Sequence, residues 1–221
     1  MLSVCSVVKA FMTLSDQLQT GLEQLALALT PEQQQKLLDY IQLIAKWNKV
    51  YNLTAVRDPE AMVSQHLLDS LAVLAHIGQP VRLLDVGSGA GLPGIPLAIT
   101  RPDWRVTLLD SIHKKSTFQR QAAAELALPN VEVACERVEV WQPAEKFDAI
   151  ISRAFSELKE FARLSAHLLA KNGKLYAMKG VHPHEELAQL PKNIRVEEII
   201  PLQVPGLNAE RCLIRMSVEE A

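Results

Sequence analysis

The sequence predicts an α/β fold: a doubly wound, seven-stranded, mostly parallel sheet with an antiparallel last strand, preceded by an N-terminal helical cap. Three observations predict it. Val81 to Val86 is a β-favouring run that carries one acid, Asp85, and breaks directly into closely spaced glycines, as a buried parallel strand does when it turns into a helix. Downstream, short apolar runs alternate with helical stretches, the pattern of a parallel sheet covered on both faces. Upstream, leucines recur at helical spacing.

The cap comes first. Leu14, Leu18, Leu22, Leu25 and Leu29 fall on one helical stripe. Thr30-Pro31-Glu32-Gln33 combines an N-cap, a proline at the first helical position and a capping-box glutamine, so a second helix starts at Pro31. Its apolar stripe (Leu37, Leu38, Ile41, Ile44, Trp47) faces a core, and Trp47 to Thr54 ends it in a polar-aromatic loop. Asp58-Pro59 opens a third helix through Leu71. His66 and Asp69 lie about one turn apart on it, a spacing that suits a metal pair, an acid/base pair or, more commonly, a hydrogen-bonded packing pair. Residues 1–76 read as an extension and cap, and 77–221 as the sheet domain, packed together as one structural unit.

The strands follow in order. Strand one is Val81 to Val86 and strand two Val106 to Asp110, with a helix from Ser111 through Leu126 after it. Asn130 to Cys135 makes strand three and Phe147 to Ser152 strand four. A helix from Glu157 to Leu169 is stopped by Asn172-Gly173, and Lys174 to Met178 makes strand five. After a short helix near Glu185 to Leu190, Arg195 to Leu202 and Arg211 to Val218 follow with no helix between them, so the last strand returns antiparallel.

With 221 residues, 48% of them hydrophobic and 22% charged, the chain can bury one full core. The formal net charge of −2 excludes a globally basic molecule, so any nucleic-acid surface is local. Cys5, Cys135 and Cys212 are scattered and odd in number, which fits neither a disulfide framework nor a C-x-x-C metal site and points to a reducing, cytoplasmic setting. Met1 to Met12 is apolar but lacks a basic region ahead of its short apolar run and a cleavage site, so it reads as the start of a helix or a disordered extension rather than a signal peptide. No run approaches the length of a membrane span, and no apolar stripe calls for an obligate dimer; the expectation is a monomer away from membranes.

Two nucleotide-binding registers compete at the glycines. Gly89, Gly91 and Gly94 satisfy G-x-G-x-x-G, but in the dinucleotide fold the first glycine follows the strand directly, and here the match comes one turn late. The glycine that ends the strand is Gly87, giving Asp85-x-Gly87-x-Gly89-x-Gly91. This resembles the first motif of the class I S-adenosyl-L-methionine (AdoMet) methyltransferases, a Rossmann-like fold whose glycine turn packs against the methionine part of the cofactor. A ligand-free glycine turn is the plainer alternative. Such folds hold the ribose hydroxyls with an acid at the end of strand two, and Asp110 stands there, roughly twenty residues past the glycines.

Ligands of open α/β sheets bind outside the carboxyl ends of the strands, so the residues there belong to one crevice. A sulfonium cofactor wants acids, backbone groups and one apolar wall. Asp110 suits the ribose, Val138 and Glu139 the adenine edge, and Leu92 an apolar contact; Arg153, at the end of strand four, suits the substrate or the methionine end. An ion pair of Arg153 with Asp148 or Glu157 is its structural alternative.

Longer motifs narrow the resemblance. Trp47-Asn48-Lys49-x-Tyr51-Asn52-Leu53-Thr54, His66-Leu67-Leu68-Asp69-Ser70, the run Leu84 to Pro96 with its proline-rich Leu92-Pro93-Gly94-Ile95-Pro96, Arg137-Val138-Glu139, Ser152-Arg153-Ala154-Phe155 and Lys179-Gly180 are similar to the bacterial small-subunit ribosomal RNA guanine-N7 methyltransferase G family, also called the glucose-inhibited division protein B family. The similarity runs from about Leu25 onward, and the stretch before Ser15 does not match. The resemblance implies AdoMet-dependent methylation of a guanine N7 in the 530 loop of 16S rRNA, in the small ribosomal subunit or its assembly intermediate, in the cytoplasm. Carried over by motif, the cofactor contacts are Gly87, Leu92, Val138, Glu139 and Arg153, which is also the catalytic candidate. Gly89, Gly91 and Asp110 join them on the reading of the glycine turn.

The chemistry agrees. Guanine N7 carries a free lone pair at neutral pH, so in-line methyl transfer needs positioning and charge stabilisation rather than a general base. His66, His113 and His182 are accordingly not nominated as bases, and His182 with His184 lacks a third ligand for a metal. The target nucleotide must be splayed from its stack and met by cations and aromatics. The RNA-contact candidates are Lys49, Tyr51, Lys114, Lys115, Lys179 and Arg211, with Lys46, Arg57, Arg120 and Phe155 behind them. A small-molecule methyltransferase, or a module that binds AdoMet or RNA without transfer, stays open; RNA-dependent, salt-sensitive turnover distinguishes the first reading from both.

Overall fold

A computed structural model describes residues 13–219 except 154 and 156. The expectations for Met1 to Met12, and Cys5 with them, lie outside the described residues. Among the described residues, five short helical elements and one long helix make the cap. Helix α1 (Leu14–Gln24) opens with a capping box between Thr13 and Asp16, and α2 (Pro31–Tyr51) with the expected one between Thr30 and Gln33. The third helix is not continuous: α3 (Pro59–Met62) widens into a π-helical stretch, Val63–Leu68, before α4 (Asp69–Leu71) and α5 (Leu74–Ile77). A π turn inside a helix is uncommon and often marks a functional position.

Seven strands form one sheet: β1 (Arg82–Val86), β2 (Arg105–Leu109), β3 (Val131–Ala134), β4 (Phe147–Ser152), β5 (Leu169–Lys179), β6 (Ile194–Pro201) and β7 (Cys212–Val218). Their order is β3-β2-β1-β4-β5-β7-β6. The pairs among β1 to β5 are parallel, and β7 lies antiparallel between β5 and β6. The expected antiparallel last strand is therefore present. Helices α6 (Gly94–Thr100), α7 (His113–Glu125), α8 (Leu158–Ser165) and α9 (His184–Leu187) connect them.

Two expected boundaries move. Helix α1 stops at Gln24 although leucines continue to Leu29, because Leu27 N donates to Leu22 O and Ala26 N to Glu23 O with Ala26 at φ 54°, a Schellman turn built on alanine. The helix after β4 ends at Ser165, and Asn172-Gly173 lies inside β5 instead of stopping a helix. There Asn172 has φ 65° and the register jumps from Phe147↔Leu169 to Ala149↔Lys174, so the asparagine and glycine form a bulge.

One apolar cluster joins the cap to a sheet face, with Leu18, Tyr40, Ile44 and Leu67 meeting Leu83 and Phe118. The other face buries Leu84, Ile150 and Leu175 under Phe161. Gly21 of α1 has no space for a side chain: a Cβ there would stand 2.3 Å from Leu68 Cδ1. Close contact of α1 with the π-helical stretch thus fixes where His66 and Asp69 sit.

Candidate active site

The glycine turn is held from three sides. Gly87, Gly89 and Gly91 have φ of 69°, 58° and 88°, a region that disfavours any side chain. From below, the fully buried Asp85 accepts the Gly94 N–H at 2.8 Å on Oδ2. From α7, Gln119 Nε2 donates to Ser88 Oγ at 2.9 Å and to Gly89 O at 2.8 Å. From the cap, the buried Tyr40 hydroxyl donates to Ala90 O at 2.5 Å. Burial pushes the Asp85 carboxyl up to about 7, against the pull of the Gly94 hydrogen bond and of Arg153.

Beside this turn Asp110 closes β2. Its Oδ2 accepts the Gly89 N–H and its Oδ1 the Ile112 N–H, both at 2.9 Å, and Lys115 Nζ stands 3.7 Å from Oδ2. A cavity of about 210 Å³ opens here, walled by Gly87, Asp110, Val138, Glu139 and Phe155. Four of the expected cofactor positions, Gly87, Asp110, Val138 and Glu139, thus meet in one place. Gly89 adjoins them through Asp110. Gly91 and Leu92 are buried behind the turn, with Gly91 packed on Ile95 and Tyr40, and do not line this cavity. Larger cavities exist, one of about 720 Å³ between Leu202, Leu207 and Cys212, but it includes no part of the glycine turn.

Arg153 lies in a neighbouring cavity of about 350 Å³, together with His66, Asp69, Lys179 and Arg211. Its Nη1 donates to Gln65 O at 3.1 Å, inside the π-helical stretch, and to Asp69 Oδ2 at 3.2 Å. The alternative pairing with Asp148 or Glu157 is not what forms. Asp148 Oδ2 accepts the Val81 and Arg82 N–H groups, and Glu157 stands at the N-cap position of α8, where its side chain makes no capping hydrogen bond. Asp69, 2% exposed, takes Arg211 Nε on its other oxygen at 3.0 Å. One carboxylate thus bridges two guanidinium groups.

His66 and Asp69 do not pair with each other as the sequence spacing suggested. His66 Nε2 meets Thr54 Oγ1 at 3.0 Å, and Asn48 fixes Thr54 in place by accepting its N–H and donating to its carbonyl, both at 3.0 Å. Desolvation, with Arg153 nearby, lowers the His66 imidazole to about 4, so it stays neutral at physiological pH. Among the described residues no group of three or more His, Cys, Asp or Glu side chains is placed to hold a metal ion. His182 and His184 stack with centroids 3.9 Å apart.

The RNA-contact candidates divide. Lys49 and Tyr51 are exposed at the end of α2, and Lys114 and Lys115 open α7, which α2 meets through Trp47 against Phe118. These four therefore lie toward one end of two packed helices. Tyr51 stacks on Trp47 with centroids 5.2 Å apart, which holds its ring at the surface. Lys179 is different: its Nζ sits 2.8 Å from Glu186 Oε2 and donates to Phe155 O at 3.3 Å, with the side chain 12% exposed. Arg211 joins Arg153. Sequence reading missed Tyr40, Gln119 and the role of Asp69, since each acts across thirty or more residues of chain on a partner that no local spacing reveals.

The comparisons with known proteins are decisive at this point. The family model described as rRNA small subunit methyltransferase G matches residues 33–214. The chain belongs to this family. A ribosomal RNA small subunit methyltransferase G of Chromobacterium violaceum is 57% identical over 203 residues, 92% of this chain and 97% of that protein. One from Laribacter hongkongensis is 57% identical over 208 residues, 94% of this chain and the whole of that protein. Solved structures show the fold shared beyond the methyltransferase G family. The glycopeptide N-methyltransferase MtfA complexed with (S)-adenosyl-L-methionine superposes with a TM-score of 0.61 at 10% identity, over 70% of this chain and 88% of that one. A SAM-dependent methyltransferase from Aquifex aeolicus gives 0.54 at 20% identity, over 73% and 94%. The fold is that of the class I methyltransferases.

Proposed function

We propose that this protein is an AdoMet-dependent methyltransferase that modifies the N7 of a guanine in the 530 loop of 16S rRNA, within the small ribosomal subunit or its assembly intermediate. The observation that carries the reading is the family match across residues 33–214, with curated relatives of that name aligned along nearly their whole length. The carboxyl edge of the sheet fits the cofactor. Gly87 leaves the backbone bare, Asp110 keeps free lone pairs after accepting two backbone N–H groups, and Val138 and Glu139 pair an apolar wall with an acceptor. Asp110 would hold the ribose hydroxyls, Val138 and Glu139 the adenine, and Gly87 and Gly89 the methionine end, with Gly91 and Leu92 supporting the turn from behind.

AdoMet supplies an electrophilic methyl group on a sulfonium. The chain's task is to hold the guanine N7 lone pair in line with it and to exclude water, because N7 has no proton to lose. A neutral His66 fits a site that needs no base. Arg153, fixed by Asp69 and the Gln65 carbonyl in the neighbouring cavity, orients the substrate there. Lys49, Tyr51, Lys114 and Lys115 would meet the RNA outside, and Lys179 and Arg211 inside. No helix among the described residues is long and apolar enough to cross a membrane, and a monomer in the cytoplasm is the setting we assign.

The test is transfer of labelled methyl from AdoMet to 16S RNA and to small subunits lacking the modification, with the product mapped by chemical cleavage at 7-methylguanine. One modified guanine in the 530 loop is expected, and Arg153→Ala should lower the transfer rate at least about tenfold, roughly 1.4 kcal/mol of transition-state stabilisation. AdoMet binding without RNA modification would overturn the substrate assignment.

A further inference from the structure

The carboxylate of Glu186 serves two elements at once. It stands on α9, in the connection between β5 and β6. Its Oε2 accepts the Leu158 N–H of α8 at 2.7 Å and Lys179 Nζ at 2.8 Å, and its Oε1 lies 3.0 Å from the same ammonium. Lys179 Nζ in turn donates to Phe155 O at 3.3 Å. One acid on α9 thus ties the end of β5 to Phe155 and to the first residue of α8, across 28 residues of chain.

Local chemistry explains why a carboxylate is wanted there. The first N–H groups of a helix have no partner within it, and Glu157, at the N-cap position of α8, gives them no side-chain hydrogen bond. Glu186 supplies from outside what the N-cap omits, and sets a negative charge at the positive end of the helix. The Lys179 side chain is only 12% exposed, and a cation at that depth needs a partner.

The parts held by this tie belong to the cofactor cavity. Phe155 and Leu164 both line the cavity of about 210 Å³ that takes in Gly87, Asp110 and Val138, whereas Glu186 does not line it. Phe155 is reached through Lys179, and Leu164 through α8, whose opening residue Glu186 holds. Phe155 also packs on Phe161 of α8 with ring centroids 5.5 Å apart, so the loop residue and the helix form one wall. We infer that Glu186 is a positioning residue for this cavity, and that it sets the wall of Phe155 and Leu164 against which the nucleoside of AdoMet packs. The inference rests on the reading of the cavity as the adenosine site. It adds to that reading a residue on α9, beyond the strand ends.

Adenosine, which has no methionine end, is the probe, and calorimetry is the readout. Glu186→Ala should weaken adenosine and AdoMet alike by at least about fivefold, because both lose the same wall. Hydrogen exchange at the Leu158 amide should quicken at least about tenfold in the same variant. Glu186→Gln keeps an acceptor for Leu158 but drops the charge. It should fall between wild type and alanine in both measurements, and it serves as the test should the alanine variant not fold. Glu185→Ala, one residue away on α9 and exposed, is the control and should leave both unchanged.

A role in charge balance alone is separated by combining Glu186→Ala with Lys179→Met, which leaves no cation without its partner. Positioning predicts that adenosine still binds weakly to the double variant. Recovery of wild-type affinity would show that Glu186 only neutralises Lys179, and would overturn the proposal. Unchanged adenosine affinity in Glu186→Ala would overturn it too, as would a loss confined to AdoMet, which would move the effect to the methionine end. Asp110→Ala reads the cavity itself: adenosine binding that survives it would overturn the placing of the nucleoside, and the proposal with it. None of these measurements uses RNA, so they decide the matter even if the RNA reading fails.

Discussion

Asp85 is pulled in opposite directions, by burial toward the neutral acid and by the Gly94 N–H and Arg153 toward the carboxylate, and burial wins. Its folded value of about 7 lies above that of an unfolded aspartate, so its stabilising contribution is full below about pH 4 and is lost as pH rises to 7. His66 works the other way: with its folded value lowered to about 4, its contribution is full above about pH 6.5 and is lost as pH falls toward 4. The two offset each other in the whole protein, so Asp85 must be read by difference. Asp85→Asn keeps an acceptor for Gly94 and cannot ionise. Its unfolding free energy relative to wild type, measured in urea, should rise between pH 4 and 7 by more than about 1 kcal/mol and level off above. A pH-independent difference would show that the carboxyl titrates normally. At this scale the sequence was legible wherever chemistry follows a strand end: Asp110, Val138, Glu139 and Arg153 all stand at carboxyl termini of strands or just beyond them. Partners were not legible, because Arg153 finds Asp69 across 84 residues and Arg211 finds it across 142.

The Schellman turns that close α1 and α7 use alanine where glycine is usual. Ala26 after α1 and Ala127 after α7 have φ of 54° and 47° and are exposed, with Leu27 N and Leu128 N reaching back to Leu22 O and Ala123 O. An alanine in that region costs roughly 1–2 kcal/mol, and glycine recovers part of it against its greater freedom when unfolded. Ala127→Gly and Ala26→Gly are each expected to stabilise by up to about 1 kcal/mol, a rise of about 2–4 °C in Tm. A fall in Tm would mean that the alanines are not strained. These alanines also explain why the end of α1 was hidden in the sequence: no glycine announced it, and Leu27 and Leu29 continue onto the core in apolar periodicity. The Asn172-Gly173 pair misled for the converse reason. The residues that end helices in the left-handed region are the same ones that a bulged strand needs, and a local reading cannot separate the two. The π-helical stretch, against which α1 packs through Gly21, gave no sequence signal at all.

At the scale of the molecule, cap and sheet share one core, and Tyr40 is the polar tie within it. Burial raises the phenol well above its ordinary value, so the hydroxyl remains a donor at any working pH. Tyr40→Phe would leave the Ala90 carbonyl buried without that partner. We expect a loss of about 1–3 kcal/mol in unfolding free energy and a weaker AdoMet affinity measured by calorimetry, because the glycine turn loses its support. Unchanged affinity would mean that the turn holds its shape unaided. The doubly wound order was legible because strands and helices alternate along the chain, and the cap because its caps and stripes are local; how the cap sits on the sheet was not, since it depends on contacts such as Tyr40 with Ala90. The place of β7 has a further consequence. Arg211 stands immediately before β7, which lies between β5 and β6, so its contact with the carboxylate on α4 ties the antiparallel end of the sheet to the cap. A chain without β7 and Arg211 would keep its glycine turn, its cap and Arg153, but Asp69 would hold one guanidinium instead of two.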